Sequence, residues 1–224
     1  MESNNASGKE NGAVKATRRL LPEEREQQIV EKAIEHFTLN GFGGSTRELA
    51  RQIGVTQPLL YRYFESKEAL IERVYDEVFQ WRPDWDRQIT DRSMPLEQRL
   101  YTFYLDYSSV ILRKEWIRLF IFAGLTHEGI NNKYLSKLRS KVFLPILAEV
   151  REAFGIAAPR NAQETEAEIE MIWSLHAAIF YIGVRKWVYG LKVPTDMEAV
   201  IRQKVSMFLH GAPAAILAIR AGDL

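Results

Sequence analysis

The chain has no cysteine. That absence excludes a disulfide framework, a thiolate metal site and a thiol nucleophile, and it fits the reducing cytoplasm as the expected location. An excess of one charge is missing too. Thirty basic residues stand against 29 acidic, for a net charge of +1, so the molecule is not built to coat nucleic acid non-specifically. Global charge averages over patches, however, and a small basic face is compatible with it. Long hydrophobic runs are absent. The longest, Met171 to Val184, is interrupted by Ser174 and His176 and reads as a buried helix, too short for a bilayer span. Met1 to Val14 is polar and lacks the apolar stretch of a signal peptide. The histidines His36, His127, His176 and His210 make no metal-ligand spacing. No P-loop, dinucleotide glycine fingerprint or nucleophile elbow is found, so neither an enzyme nor a bound cofactor or metal is expected.

What remains is a chain of ordinary globular composition, 46% hydrophobic and 26% charged, long enough at 224 residues for one to two domains. No persuasive period-two strand appears, and the fold class expected is all-α. Residues 1–21 form a polar tail expected to be disordered, with Lys15, Arg18 and Arg19 as its basic part. Helix signals begin at Pro22. Ile29, Val30, Ala33, Ile34 and Phe37 recur at helical spacing until Asn40-Gly41 stops them. Ser45, with Glu48 three residues on, reads as a capping box for a short second helix that Gly54 ends. Thr56 caps a third, with Pro58 in its first turn, and Ser66 opens a fourth that runs to about Trp81 before Pro83 breaks it. Further helices are expected at 94–112, 115–125, 131–153 (kinked by Pro145), 162–189 and 196–209. The last is capped by Thr195 and broken by Gly211 and Pro213.

The informative stretch is 45–70. Two short helices joined by Gly54-Val55-Thr56 form a helix-turn-helix, whose second helix enters a DNA major groove. Between Leu49 and Phe64 there is no acid, while Arg51 and Arg62 are present, as a surface approaching phosphates requires. Gln57 can bond both N6 and N7 of adenine. The Thr56 hydroxyl suits a phosphate, and Tyr61, Tyr63 and Lys67 are further phosphate donors, although Tyr61 could equally be core. Leu49, Ala50, Val55, Leu60 and Phe64 are read as the packing of the motif.

These residues resemble the TetR family of transcriptional regulators. The likeness lies in Ser45-Thr46-Arg47-Glu48-Leu49-Ala50, Gly54-Val55-Thr56, Leu60-Tyr61-Arg62-Tyr63-Phe64 and Ser66-Lys67-Glu68-Ala69-Leu70, with a first helix ending Phe37-x-x-Asn40-Gly41-Phe42. It covers residues 25–70; beyond residue 80 only length and helical pattern agree. Pro58 and Leu59 depart from the small residue and Ser or Thr usual there, which turns Leu59 toward a thymine methyl. The resemblance implies a DNA-binding domain over 22–68 and a helical ligand-binding and dimerisation domain over 69–224. It implies a homodimer on a palindromic double-stranded operator, acting as a repressor released by a small apolar or aromatic effector. The DNA-binding candidates are Ser45, Thr46, Arg47, Thr56, Gln57, Pro58, Leu59, Tyr61, Arg62, Tyr63 and Lys67. A regulator responding to a protein partner is the alternative, because a pocket lining and a helix core look alike in sequence.

For the second domain, Tyr104, Tyr107, Phe120, Phe143, Trp173 and His176 are the pocket candidates, against a bland reading as core. Met171, Leu175, Ile179, Ile182, Val200, Val205 and Phe208 exceed one apolar stripe and are the candidate dimer face; covering the protomer's own core is the other possibility. Glu164, Glu166, Glu168 and Glu170 are read as capping and solvation rather than as a catalytic carboxylate pair. The basic tail either reaches an adjacent minor groove or only solubilises the chain.

Overall fold

The computed structural model describes residues 21–126 and 130–222, which leaves the basic tail before Leu21 and His127 outside the described residues. Eleven α-helices and one π turn are present among them, with no strand. Helices α1 (Pro22–Asn40), α2 (Thr46–Gln52) and α3 (Gln57–Tyr63) make the amino-terminal head. Ile29, Val30, Ala33 and Phe37 on one stripe of α1 are buried, and they meet Leu49, Ala50, Ile53, Leu60 and Phe64 from the motif. Helix α4 (Lys67–Val78) starts two residues before the expected domain boundary and packs against both α1 and α7 (Lys114–Thr126), so head and body share it.

The cap residues act as their chemistry dictates. Ser45, Thr56, Ser66 and Asn161 each accept a bond from the backbone N–H three residues on, satisfying donors that a helix start leaves free. The capping box at Ser45 is only half made, because the Glu48 carboxylate turns to Arg51 and Gln52 instead.

The body contains α5 (Asp84–Thr90), α6 (Leu96–Ile111), α7, α8 (Ile130–Leu138), α9 (Leu144–Ala153), α10 (Ala162–Trp187) and α11 (Met197–Ala221). Four expectations are corrected here. Helix α5 has no counterpart in the pattern reading, since seven residues after a proline carry too few apolar positions to show a period; Trp85 and Ile89, both fully buried, hold it down. The segment 131–153 is not a kinked helix but α8 and α9 joined by a π turn, Arg139–Phe143. There the Leu144 N–H donates to the Arg139 carbonyl five residues back, which accommodates the N–H that Pro145 lacks. Helix α11 does not break at Gly211 and Pro213: Ala212 and Ile216, buried on either side of the proline, keep it continuous to Ala221. Its cap is Asp196, not Thr195, through a 2.9 Å bond from the Ala199 N–H.

The acids at the start of α10 require a fifth correction. Glu164 and Glu168 are buried, not solvated. Glu168 pairs with Arg151 of α9 and, at 2.6 Å, with Arg220 of α11, while Glu164 pairs with Arg160 and Arg220. A buried carboxylate survives only when paired, and these pairs lock the register of three helices. A similar knot ties Glu149 of α9 to Arg99 of α6 and Arg92. Burial acts to raise the Glu149 pKa, but the hydrogen bonds from Arg92 and Arg99 outweigh it and leave it lowered. By length and apolarity α10 alone among the described helices could cross a membrane, yet half of its most apolar stretch is buried in the fold.

One close approach is diagnostic. A Cβ on Gly183 of α10 would stand 2.5 Å from Ile117 Cδ1, whose side chain is itself fully buried. Gly183→Ala is therefore expected to destabilise the chain by about 1–3 kcal/mol, as overpacking does. Chemical denaturation measures this, and Ile117→Val in the same background should recover part of the loss. An unchanged midpoint for Gly183→Ala would refute the tight crossing of α7 and α10.

Candidate functional site

The turn between α2 and α3 is built from the backbone outward. Gly54 has φ +74°, a conformation that L side chains rarely adopt. Its N–H donates to the Arg51 carbonyl at 3.2 Å, and the Val55 N–H donates to that of Ala50 at 2.9 Å. Together these bonds close α2 in a Schellman motif and send the chain straight into α3. Helix α3 buries only Leu60. The remaining side chains of its seven residues are available to face outward.

Ser45, Arg47 and Gln57 border one shallow groove between the starts of α2 and α3. Arg47, Thr56, Pro58, Tyr61 and Arg62 are exposed; Thr46, Gln57, Leu59 and Tyr63 are half-buried. Tyr61, at 44% exposure, is thereby not core. Leu59 keeps only part of its surface for a thymine methyl. The Arg62 guanidinium lies 5.3 Å from the Tyr63 ring centre and orients it. Two cations differ from the sequence reading. Arg51 is paired with Glu48 at 2.6 Å, and bonds from Arg51 and Gln52 lower the Glu48 pKa to about 2, so its charge is locally compensated. Lys67, expected as a phosphate donor, directs its ammonium to the carbonyls of Phe42, Gly43 and Gly44, the last two at 3.2 and 2.8 Å. All three of its donors are engaged, and it clamps the α1–α2 turn onto α4. Conversely, Lys32 was overlooked. It sits on α1, outside the motif, and only folding brings its ammonium within 3.4 Å of the space beside Gly54.

In the body, the six pocket candidates fall into one aromatic cluster. Tyr104 and Tyr107 of α6, Phe143 of the π turn, and Trp173 and His176 of α10 are linked through ring contacts of 4.6–6.5 Å. Phe120 stacks on Trp116 at 4.9 Å. Trp116 meets Tyr134, whose hydroxyl lies 2.9 Å from that of Tyr107 and so joins the two halves. Tyr75, Phe79, Trp116 and Tyr134 were missed, because single aromatics on separate helices carry no sequence sign that they converge. His176 is buried and its pKa is pushed down to about 3 by that burial.

The dimer candidates divide. Ile179 and Val205 are fully buried within the single chain, and Ile182 nearly so; they belong to the protomer's own core. Leu175 and Phe208 border a surface groove with Met207, which is 68% exposed. Met171 and Val200 are half-buried. Helices that cross over their length bury the inner part of a broad apolar face first, which sequence alone does not divide from the outer part.

Comparison with known proteins agrees with this geometry. Residues 29–74 match the family model described as bacterial regulatory proteins, tetR family. Among solved structures, a tetR-family transcriptional regulator from Streptomyces coelicolor aligns with a TM-score of 0.57 at 20% identity, covering 90% of each chain. A TetR-like transcriptional regulator from Rhodococcus sp. RHA1 aligns with a TM-score of 0.64 at 16% identity, covering 88% of this chain and 99% of that one. A TetR-family transcriptional regulator from Bordetella parapertussis 12822 gives 0.58 at 18% identity, over 84% and 95%. Residues 29–74 are thus similar to the tetR family of bacterial regulatory proteins, and the chain has the fold found in solved proteins of that name.

Two tests follow from the placement of these residues. Gln57→Ala should relax base preference at one operator position by about 1–3 kcal/mol, whereas Tyr61→Ala should weaken cognate and scrambled duplexes alike. Equal losses on both duplexes for Gln57→Ala would remove its base-reading role. Separately, the unfolded chain protonates His176 near 6.5 and the folded chain only near 3. Between about pH 6 and pH 5 stability should therefore fall as pH drops, by up to about 1.4 kcal/mol per unit from this group. His176→Phe should flatten that slope in calorimetric scans; an identical slope in both proteins would place the imidazole in water.

Proposed function

We propose that the chain is a TetR-family regulator, a ligand-responsive repressor that acts as a homodimer in the cytoplasm. Paired α10 and α11 helices from two chains would form a four-helix bundle and set the spacing of two α3 helices, one in each half-site of a palindromic operator. Tyr181, Met207 and Leu217, large apolar residues exposed on these helices, support the pairing. A small apolar or aromatic effector, bound among the rings of the body, releases the operator.

The position of α7 carries this reading. It contributes Trp116 and Phe120 to the aromatic cluster. It also contributes Arg118, which donates to the carbonyls of Thr38 and Leu39 at the end of α1 and, at 3.1 Å, to that of Trp187 at the end of α10. Phe122, one turn further on, sits 3.1 Å from where a Cβ on Gly41 would stand. One rigid helix therefore touches both the rings and the base of the reading head. An effector that binds one α7 position better than another shifts the head by that differential affinity and no more.

Purified chain should retard a palindromic fragment from its own promoter region, with affinity falling steeply as salt rises. It should sediment as a dimer at micromolar concentration. Arg118→Ala should retain operator binding but lose most of its response to effector, with Arg118→Lys intermediate. Salt-insensitive or absent binding to every such fragment would sink the reading, and a monomer would remove the bundle.

A further inference from the structure

Four polar atoms in the aromatic cluster have no hydrogen-bond partner although their side chains are more than nine-tenths buried: Tyr75 Oη, Tyr104 Oη, Trp116 Nε1 and His176 Nδ1. They come from four helices, α4, α6, α7 and α10. Each lies within a few ring contacts of the Tyr107–Tyr134 hydroxyl pair. Tyr104 and His176 meet the Tyr107 ring, Trp116 meets the Tyr134 ring, and Tyr75 reaches it through Phe79, on which it stacks at 4.0 Å. Buried groups of this kind are almost always paired in a native protein, and one left unpaired costs about 1–3 kcal/mol. Four within one network of touching rings, while the buried carboxylates of Glu149, Glu164 and Glu168 are each multiply bonded, is the pattern of a site awaiting a partner.

We propose that the effector is an uncharged ring compound carrying a carbonyl or hydroxyl oxygen, and that carboxylates and ammonium compounds are rejected. The inference rests on the reading of the cluster as the effector site and adds the chemical class. The oxygen is required because the indole N–H of Trp116 can only donate. Phenols and imidazole then bond whichever polarity the rest of the molecule presents. Neutrality is required because the ionised groups that border the rings are already engaged: Asp106 accepts from the Trp85 indole and pairs with Arg82, and Lys137 lies over the Trp81 ring. Asp76, beside Tyr75, would repel an anion. His176 is kept neutral at physiological pH by its burial and offers no cation. Moving a bare charge into such surroundings is strongly unfavourable, whereas a neutral oxygen satisfies groups that are already dehydrated.

Equilibrium dialysis and thermal shift of the full chain with four matched probes decide the matter: 2-acetylnaphthalene, naphthalene, 2-naphthoate and 2-naphthylmethylammonium. The ketone should bind at least about ten-fold more tightly than either ion and more tightly than naphthalene. Trp116→Phe should reduce ketone affinity to the level of naphthalene, and Tyr104→Phe, a milder change that removes only one hydroxyl, should reduce it in part. Naphthoate or the ammonium binding as tightly as the ketone, and competing with it, would overturn the proposed class while leaving the cluster as the effector site. Affinities for all four probes that neither substitution moves would overturn the site reading itself, and the class with it.

Discussion

An α-helix leaves its last carbonyls without internal partners. In this molecule α1 of the head and α10 of the body turn theirs toward the same guanidinium, that of Arg118. A planar group with five donors in a fixed fork can satisfy two helix ends at once, and the favourable interaction of a cation with two negative dipole ends adds to the hydrogen bonds. The consequences spread from there. Because α7 must present Arg118 to both ends, its next turn meets Gly41, and the tight turn after α1 leaves no room for a side chain. Its other faces are then committed to Gly183 of α10 and to the rings. The head is held to the body through this helix and through α4, which Lys67 joins to the α1–α2 turn.

The body distributes its polar groups unevenly. At one end, Arg151, Arg160 and Arg220 enclose Glu164 and Glu168, and Arg220 also donates to the carbonyls of Ala157 and Ala158. Arg99, buried on α6, bonds Glu149 and the Ile89 carbonyl. Such knots add less to stability than their number suggests, because desolvation offsets much of the attraction; their effect is to exclude other registers. In the middle of the body Tyr107 and Tyr134 pair only with each other, and Tyr75 Oη, Tyr104 Oη, Trp116 Nε1 and His176 Nδ1 have no hydrogen-bond partner. A frame fixed at its ends and unsatisfied at its centre is what the effector-binding role proposed above would require.

How far the sequence disclosed this varies by element. The helix-turn-helix was legible almost residue by residue, because its signals are local: Ser45, Thr56 and Ser66 cap helices, Gly54 takes a positive φ, and apolar residues recur within one turn. The DNA-facing candidates were legible as a surface, but the engagement of Lys67 with three carbonyls was not. It depends on a contact between residues 25 positions apart. The body was less legible for the same reason. Tyr75, Trp116 and Tyr134 come together only once α4, α7 and α8 have assembled, and an alternating run of acids gives no sign that Glu164 and Glu168 will be enclosed by arginines from two other helices. Pro213 misled because a proline weakens a helix by a fixed local amount, while the burial of Ala212 and Ile216 is a tertiary gain invisible from the chain.

The π turn at Arg139–Phe143 does more than tolerate Pro145. One extra residue in a helical turn advances every later side chain by about 100° around the axis relative to an uninterrupted α-helix. Tyr134 and Leu138 before it, and Ile146, Leu147 and Val150 after it, are all buried, although they do not share one stripe of a regular helix. The bulge is therefore a phase corrector. It lets α8 aim a phenol at the rings while α9 aims its carboxylate Glu149 at Arg99, two duties that a straight helix through 130–153 would set at odds.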